Sequence, residues 1–420
     1  MSLLCLVFLA EKIMSLLEST IVGGGNGSYT LNLSYRWMEL VGDEEKALDG
    51  KYGEALATAY RILVAIGEAT GAKKLVPVKW AHISGVNFNT IGDGGMRFLE
   101  KFSTTAKFAV KTTINPMGYD RSKPEDIPHS FQKRQENIAR SYGRMGATPS
   151  FTCTPYEVFD LPEKGTVVSF AESNAAVFSN SLLGLMTNKE SALSALASSV
   201  TGKTPLSDLR LEEARRPKIA IETDFDFRTE LDYGLLGYFA GKSVNHSCVA
   251  LRSINKLDTM QAKALCAAIG TSGSCGMFTF GGKAKEKISF GKKESQSVMD
   301  ELSTANDGDI ITLGSPQLGI NELNLLAQLT EAKKFTRRCI VFCSRAIYNN
   351  AVKIGLAGKI EKSGVDFRCD SCTCLTPYVT KDKYDAVITN SVKGAYYLTK
   401  SNKVKVALKD IKTIAEEYTQ

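Results

Sequence analysis

Three cysteines stand within six residues, Cys369, Cys372 and Cys374, and Cys339 and Cys343 precede them by one strand-helix unit. Thiolates are soft ligands, so thiols this close together suit a metal or an iron-sulfur centre. A structural zinc on Cys339, Cys343, Cys369 and Cys372 is one version, although the spacing departs from paired Cys-x2-Cys knuckles. The plainer reading makes Cys339 and Cys343 small apolar residues alternating on a strand, and for that pair it is preferred. Cys153 lies in Thr148-Pro149-Ser150-Phe151-Thr152-Cys153-Thr154-Pro155-Tyr156, where two prolines stop a helix and the hydroxyls can donate to a thiolate or a cluster sulfide. Taken alone, such a residue is more often a buried thiol.

Acid-base candidates are few, because the only histidines are His82, His129 and His246. His82 sits in Ala81-His82-Ile83-Ser84-Gly85, after the strand-like Leu75-Val76-Pro77-Val78. A proton-transfer role and a satisfied structural role are equally open there. Glu172-Ser173-Asn174 opens a segment that adds Ser179, Asn180 and Ser181 to an otherwise apolar run. Buried polar groups in this number need partners. They either line a pocket or cap a helix that starts near Ser173.

The elements that must position these groups read as α/β. From Asp43 to Ala72 the residues Ala47, Leu48, Ala55, Ala59, Ile62, Leu63 and Ile66 recur at helical spacing, which predicts one or two amphipathic helices. Between Leu75 and Pro155 short apolar runs such as Phe108-Ala109-Val110 alternate with helical patterns such as Phe131 to Tyr142. Ser179–Leu206 reads as a helix followed by a loop, with a domain junction nearby. In the last third, Ile310–Leu313, Cys339–Phe342, Val365–Phe367 and Ala386–Ile388 read as buried strands, with helices over Glu322–Ala332 and Ala346–Lys362. Such alternation implies a parallel sheet, whose ligands gather beyond the carboxyl ends of the strands. The segments there are Gly314-Ser315-Pro316-Gln317, Cys343-Ser344-Arg345, Cys369-Asp370-Ser371-Cys372 and Thr389-Asn390-Ser391-Val392-Lys393, so reactive side chains collect at one edge. The expected division is a flexible leader over 1–27, an α/β domain with N-terminal helices over 28–205, a second α/β domain over 206–300 and a C-terminal one over 301–420.

Composition narrows the partners. A chain of 420 residues, 43% apolar and 23% charged, has the balance of a soluble globular protein of two or three domains. Its formal charge of +7 is spread along the sequence, which argues against nucleic acid and suits a small anionic substrate. Met1–Ala10 is apolar but is broken by Glu11 and Lys12, too short for a bilayer and without a basic stretch before it, so no membrane partner and a cytoplasmic location are expected. Gly23-Gly24-Gly25-Asn26-Gly27 lacks the Lys-Ser/Thr of a phosphate loop. The ten cysteines are expected to be reduced.

From Tyr29 to Gln420 the chain resembles the aconitase X family, which includes archaeal phosphomevalonate dehydratase and bacterial hydroxyproline dehydratases. The resemblance is carried by Gly50-Lys51-Tyr52-Gly53-Glu54-Ala55, Ala81-His82-Ile83-Ser84-Gly85, Thr90-Ile91-Gly92-Asp93, Asn115-Pro116-Met117-Gly118 and Thr152-Cys153-Thr154-Pro155-Tyr156. It continues through Glu172-Ser173-Asn174-Ala175, Thr187-Asn188, Leu236-Gly237-Tyr238, Thr271-Ser272-Gly273, Ser344-Arg345, Asp370-Ser371-Cys372 and Thr389-Asn390-Ser391. It implies an aconitase-like three-domain core with doubly wound parallel sheets and a helical N-terminal region. The swivelling fourth domain is then supplied by a small subunit in a heterodimer.

The resemblance further implies an iron-sulfur cluster, of the 4Fe-4S type, on three cysteines, with an incompletely ligated iron acting as Lewis acid on a substrate hydroxyl. Cys153 and Cys372 stand at two of the three positions. At the third, the family's Gly-Cys-Pro-His is Gly314-Ser315-Pro316-Gln317 here. Ser315 is a poor iron ligand near neutral pH, while Cys369, Cys374 or Cys343 lie close enough in sequence to replace it, and a cysteine is favoured over loss of the cluster. Met186 stands where the family usually has Arg, and Trp80 where it has a small residue, which leaves the substrate open.

The reaction implied is dehydration of a small anionic hydroxy acid, 5-phosphomevalonate in an archaeal-type mevalonate pathway of isoprenoid synthesis. A hydroxyproline substrate and a cluster-free scaffold paralogue are the alternatives. Catalytic roles fall on His82, Ser84 and Lys393. Substrate contacts fall on Gly85, Asn115, Glu172, Ser173, Asn174, Arg345 and Ser391, with the anion meeting Arg345 and Lys393. A serine on the small subunit is the candidate general base.

Overall fold

The structure, a computed structural model, describes residues 38–420. The expected leader over 1–27 lies outside the described residues. Two helices, Gly42–Leu48 and Glu54–Ala69, open the described chain. Ala55, Ala59, Ile62 and Leu63 are buried as their spacing requires. The second helix packs on the helix Ala192–Thr201.

The first sheet is short and wholly parallel. It has the order β3-β2-β4, with β2 at Trp80–Ile83, β3 at Lys111–Ile114 and β4 at Ser169–Phe170. The run Leu75–Val78 is not the strand beside His82. Its residues Leu75–Pro77 form β1, which pairs antiparallel with β5, Lys203–Pro205, while His82 lies inside β2. Phe108-Ala109-Val110 likewise precedes the strand instead of forming it. The polar Lys-Thr-Thr-Ile of β3 is held because Thr113 takes hydrogen bonds inside the sheet that its sequence does not advertise. Ser179–Leu206 divides into a π-helical turn, Ser179–Leu183, the helix Ala192–Thr201 and β5.

A second parallel sheet runs β8-β7-β6-β9, with β6 at Ile219–Thr223, β7 at Cys248–Leu251, β8 at Met277–Phe280 and β9 at Glu286–Phe290. The helices Glu230–Ser243 and Thr259–Ser272 pack against each other. The third sheet, also parallel, has the order β12-β11-β10-β13-β14: β10 Ile310–Leu313, β11 Cys339–Cys343, β12 Val365–Cys369, β13 Ala386–Thr389 and β14 Lys405–Leu408. The strand β14 has no counterpart in the sequence reading. The helix expected over Ala346–Lys362 is two, Arg345–Lys353 and Leu356–Lys362, because Gly355 turns the chain at φ 72°. The helix expected over Glu322–Ala332 runs from Ile320 to Leu329.

The strand order places β10 between β11 and β13, so the chain leaves the sheet centre in both directions. A crevice opens at such a switch, outside the carboxyl ends. Gly314 ends β10 at φ 124°, and a Cβ there would come within 2.4 Å of the Phe342 carbonyl oxygen. Only glycine lets the segment Ser315–Gln317 leave the strand so close to β11.

Candidate active site

The loops after β10, β12 and β13 meet the strand ends of the first sheet. Met117 donates its backbone N–H to the Asp370 carbonyl (2.9 Å), and Thr376 Oγ1 donates to that of Gly118 (2.8 Å). At the centre of this joint stands Gln317. Its side-chain nitrogen donates to the carbonyls of Phe151 (3.1 Å) and Ser371 (2.8 Å), and its side-chain oxygen accepts from the Cys153 backbone N–H (3.3 Å). Its own backbone N–H points at Cys153 Sγ, 3.2 Å away. One buried amide thus fastens the Cys153 loop to the Cys372 loop.

Cys153, Cys372 and Cys374 share this joint. Cys372 Sγ is 3.6 Å from the Gly314 carbonyl oxygen, and Cys374 Sγ is 3.1 Å from Ser315 Oγ. A hydrogen bond from Cys374 draws the Cys372 thiol down to about 7, against burial. Burial, reinforced by the charge of Cys372, pushes Cys153 well up. The ammonium of Lys393 acts on all three sulfurs. Ser371 Oγ and Thr373 Oγ1, flanking Cys372, are buried without a partner, as is Asn174 Oδ1. The Ser391 hydroxyl donates to the Ser315 carbonyl and caps the helix Val392–Tyr397, which carries Lys393.

Lys393 rests on Glu172. Burial opposes the charge of both groups, yet their attraction wins: Glu172 is held below its usual range and Lys393 above its own. Of the two readings of the segment starting at Glu172, the helix cap is realised: this carboxylate caps the helix Ser173–Phe178. Asn115 Nδ2 donates to its second oxygen (2.8 Å). With the amide nitrogen committed to a carboxylate, Asn115 Oδ1 must accept, so His82 Nε2 carries the hydrogen at 2.8 Å and His82 Nδ1 accepts from Thr113 Oγ1, also at 2.8 Å. Trp80 Nε1 donates to the Thr113 hydroxyl (2.8 Å). The departure at Trp80 therefore belongs to the support of His82: the indole is 1% exposed and packs edge-on against Phe170.

His82 is fully enclosed, and burial lowers it to about 4, so it stays neutral with both nitrogens engaged. Ser84 and Gly85 follow it off the end of β2, where the Gly85 carbonyl accepts from Tyr142 (3.3 Å). Ser173 packs on Gly270, where a Cβ would clash with its hydroxyl at 2.8 Å. Arg345, Cys343, Cys369 and Cys339 are not brought to the thiols. Arg345 is engaged by Asp120 (2.5 Å), Ser122 (3.0 Å) and Asp370 (3.7 Å). Cys343 and Cys369 are cross-strand partners in the apolar core of the third sheet. Cys339 lies in that core too, so the zinc arrangement is not formed. Among the described residues no three His, Cys, Asp or Glu side chains converge closely enough for a single metal ion.

Two residues of this site escaped the sequence reading. Gln317 was noted only as a lost histidine. Lys189 donates to the carbonyls of Gly270 (2.9 Å) and Gly273 (2.5 Å) at the end of the helix Thr259–Ser272 and lies within electrostatic reach of Glu172 and Lys393. Burial lowers it to about 8. Its only signal was its place directly after Thr187-Asn188. Beside the thiols a cavity of about 50 Å³, lined by Ser315, Asn390, Ser391, Lys393, Lys263 and Glu322, has room for a few waters.

Family models described as the aconitase X first, second and third domains match residues 37–213, 217–310 and 308–420. The chain belongs to the aconitase X family, and its parallel sheets and helices are that family's α/β fold. It is a hydro-lyase. It is 36% identical to the phosphomevalonate dehydratase large subunit of Methanocaldococcus jannaschii, over 90% of this chain and 99% of that one. To the cis-3-hydroxy-L-proline dehydratase of Pseudomonas aeruginosa it is 30% identical, over 84% of this chain and 65% of that one. The crystal structure of Thermococcus kodakaraensis aconitase X in its holo-form superposes with a TM-score of 0.84 at 32% identity, covering 91% of this chain and 100% of that one. Among the described residues no helix is long and apolar enough to cross a membrane.

Proposed function

We propose that this chain is the large subunit of a phosphomevalonate dehydratase that uses an iron-sulfur cluster of the 4Fe-4S type. The donor set supports the cluster. Thiols from two sheets face one another across the joint, and the orphaned hydroxyls of Ser371 and Thr373 are donors that sulfide or thiolate would satisfy. Cys153 and Cys372 would hold it together with a third ligand. When bound, the cluster supplies a Lewis-acidic iron for the substrate hydroxyl.

The chain's own residues bind and orient. Lys393 stays an ammonium, and Glu172 takes only part of its hydrogen-bonding capacity, which leaves N–H donors for a carboxylate or phosphate. Asn115 orients Glu172, and His82, closed to solvent, acts as a positioning residue for Asn115. Ser84, Gly85, Ser173, Asn174 and Ser391 stand at the surrounding strand ends and helix starts. Arg345, tied to Asp120, is not assigned to substrate. Elimination also needs a base. His82 is engaged at both nitrogens, Lys393 keeps its proton and Glu172 is already an acceptor of three bonds. We therefore assign proton abstraction to a small subunit, the partner that the names of the large-subunit relatives imply.

The substrate assignment rests on one observation, the extent of likeness: 36% identity along 99% of a phosphomevalonate dehydratase large subunit, against 30% along 65% of a hydroxyproline dehydratase. The test is anaerobic co-production of this chain with a candidate small subunit, followed by assays with 5-phosphomevalonate and with cis-3-hydroxy-L-proline. Dehydration of the first alone is expected. Turnover of hydroxyproline alone would move the assignment to that substrate, and a loaded pair inert toward both would refute it.

A further inference from the structure

We propose that Cys374, and not Ser315, supplies the third cluster ligand in this chain, an assignment that rests on the cluster reading above. The two side chains are immediate neighbours, with Ser315 Oγ and Cys374 Sγ 3.1 Å apart. A thiol on the β12 loop therefore reaches the place to which the β10 loop brings only an alcohol. Cys374 also exchanges a hydrogen bond with Cys372 and feels the same ammonium, Lys393, as Cys372 and Cys153. The chemistry separates the neighbours, because a thiol gives up its proton to a metal near neutral pH far more readily than an alcohol does.

The other cysteines do not compete. Cys343 and Cys369 are at most 1% exposed, face each other across β11 and β12, and lie among Ile311, Leu313 and Ile347 in the interior of the third sheet. The Cys372–Cys374 segment, by contrast, is clamped on both sides. The Asp370 and Ser371 carbonyls accept from Met117 and Gln317, and the Leu375 carbonyl accepts from Asn87 (3.2 Å) and Asn89 (2.7 Å). The Leu375 N–H donates to Asn402 (3.1 Å). Two sulfurs one residue apart are thereby presented from a fixed loop. Ser315 becomes a positioning residue, its hydroxyl within hydrogen-bond distance of the Cys374 sulfur and its carbonyl held by Ser391.

The experiment compares the full chain with Cys374→Ser, Ser315→Ala and the double variant Cys374→Ser/Ser315→Cys, all reconstituted anaerobically with iron and sulfide. Iron and sulfide per chain and the visible absorption are read after gel filtration, with far-UV circular dichroism as a check on folding. Cys374→Ser should retain less than about a tenth of the wild-type iron, since a first ligand matters at least as much as an outer-shell partner. Ser315→Ala should keep its iron with an altered visible spectrum, and the double variant should recover iron by returning the thiolate to the β10 loop. The assignment is overturned if Cys374→Ser keeps wild-type iron, or if Ser315→Ala loses as much as Cys374→Ser. Should Cys374→Ser fail to fold, recovery of iron by the double variant decides for the assignment and its failure decides against. A wild-type chain that takes up neither iron nor colour sinks the cluster reading itself, a result distinct from a loaded wild type with a loaded Cys374→Ser.

Discussion

Lys393 and Glu172 form an ion pair in which each side chain is only 9% exposed, joining the third sheet to the first. Removing one partner leaves the other as an uncompensated buried charge, which costs about 3–5 kcal/mol. Glu172→Gln and Lys393→Met should each lose that much in urea unfolding, and the double variant should lose clearly less than their sum. The folded Glu172 lies below its ordinary 4.5, so its contribution is present above that value and fades as pH falls. Lys393 lies above 10.5, so its contribution is full below that value and fades only as pH rises through the elevated one. The ion pair's own contribution is therefore expected to be flat between those limits, and the double variant should lose both of its edges.

His82 carries the opposite kind of pH dependence from a surface histidine. Its folded value is lowered from 6.5 to about 4 by burial, so the unfolded chain takes up the proton first as pH falls. Stability should therefore decline between pH 6.5 and about 4, by roughly 3 kcal/mol, and level off below. In His82→Gln this part of the slope disappears. An unchanged slope between wild type and variant would contradict the buried neutral ring.

Gln317 is expected to act as a latch. Gln317→Leu keeps the volume but strips partners from the Phe151 and Ser371 carbonyls and the Cys153 N–H. Each group left unpaired costs roughly 1–3 kcal/mol. Stability measured by denaturant should fall accordingly, and Cys153, now 3% exposed, should react faster with a thiol reagent.

Lys263 bridges Glu157 (2.8 Å) and Glu322 (2.9 Å), with the lysine side chain 2% exposed. Lys263→Met leaves two carboxylates facing each other without a cation. A loss of about 3–5 kcal/mol is expected in thermal or urea unfolding. Adding Glu157→Gln to Lys263→Met should recover part of that loss, and no recovery would mean that the carboxylates are not the source.

The last third of the chain was the most legible part because β10 to β13 are apolar runs, the first three separated by helical patterns, the arrangement of a sheet buried on both faces. The first sheet was harder. Trp-Ala-His-Ile and Lys-Thr-Thr-Ile look half polar, and Trp80, His82 and Thr113 are buried with their polar groups paired across β2 and β3. β14 was missed because a four-residue strand, Lys405–Leu408, carries little periodic signal.

Residue type and local spacing were enough to mark the cysteines, the Glu172 segment and the strand ends as chemically charged ground, because thiols and buried polar groups advertise their needs in one dimension. Which thiols meet was a question of three-dimensional neighbourhood. Cys369 and Cys374 are five positions apart, yet one turns into the sheet core and the other toward Ser315, since the loop leaving β12 reverses direction at Asp370, where φ is 60°. Partnership was equally invisible: Arg345 looked like a free anion clamp until Asp120, distant in sequence, was found to occupy it. Long-range pairs of this kind have no local signature, because folding brings together groups whose attraction acts through space and not along the chain.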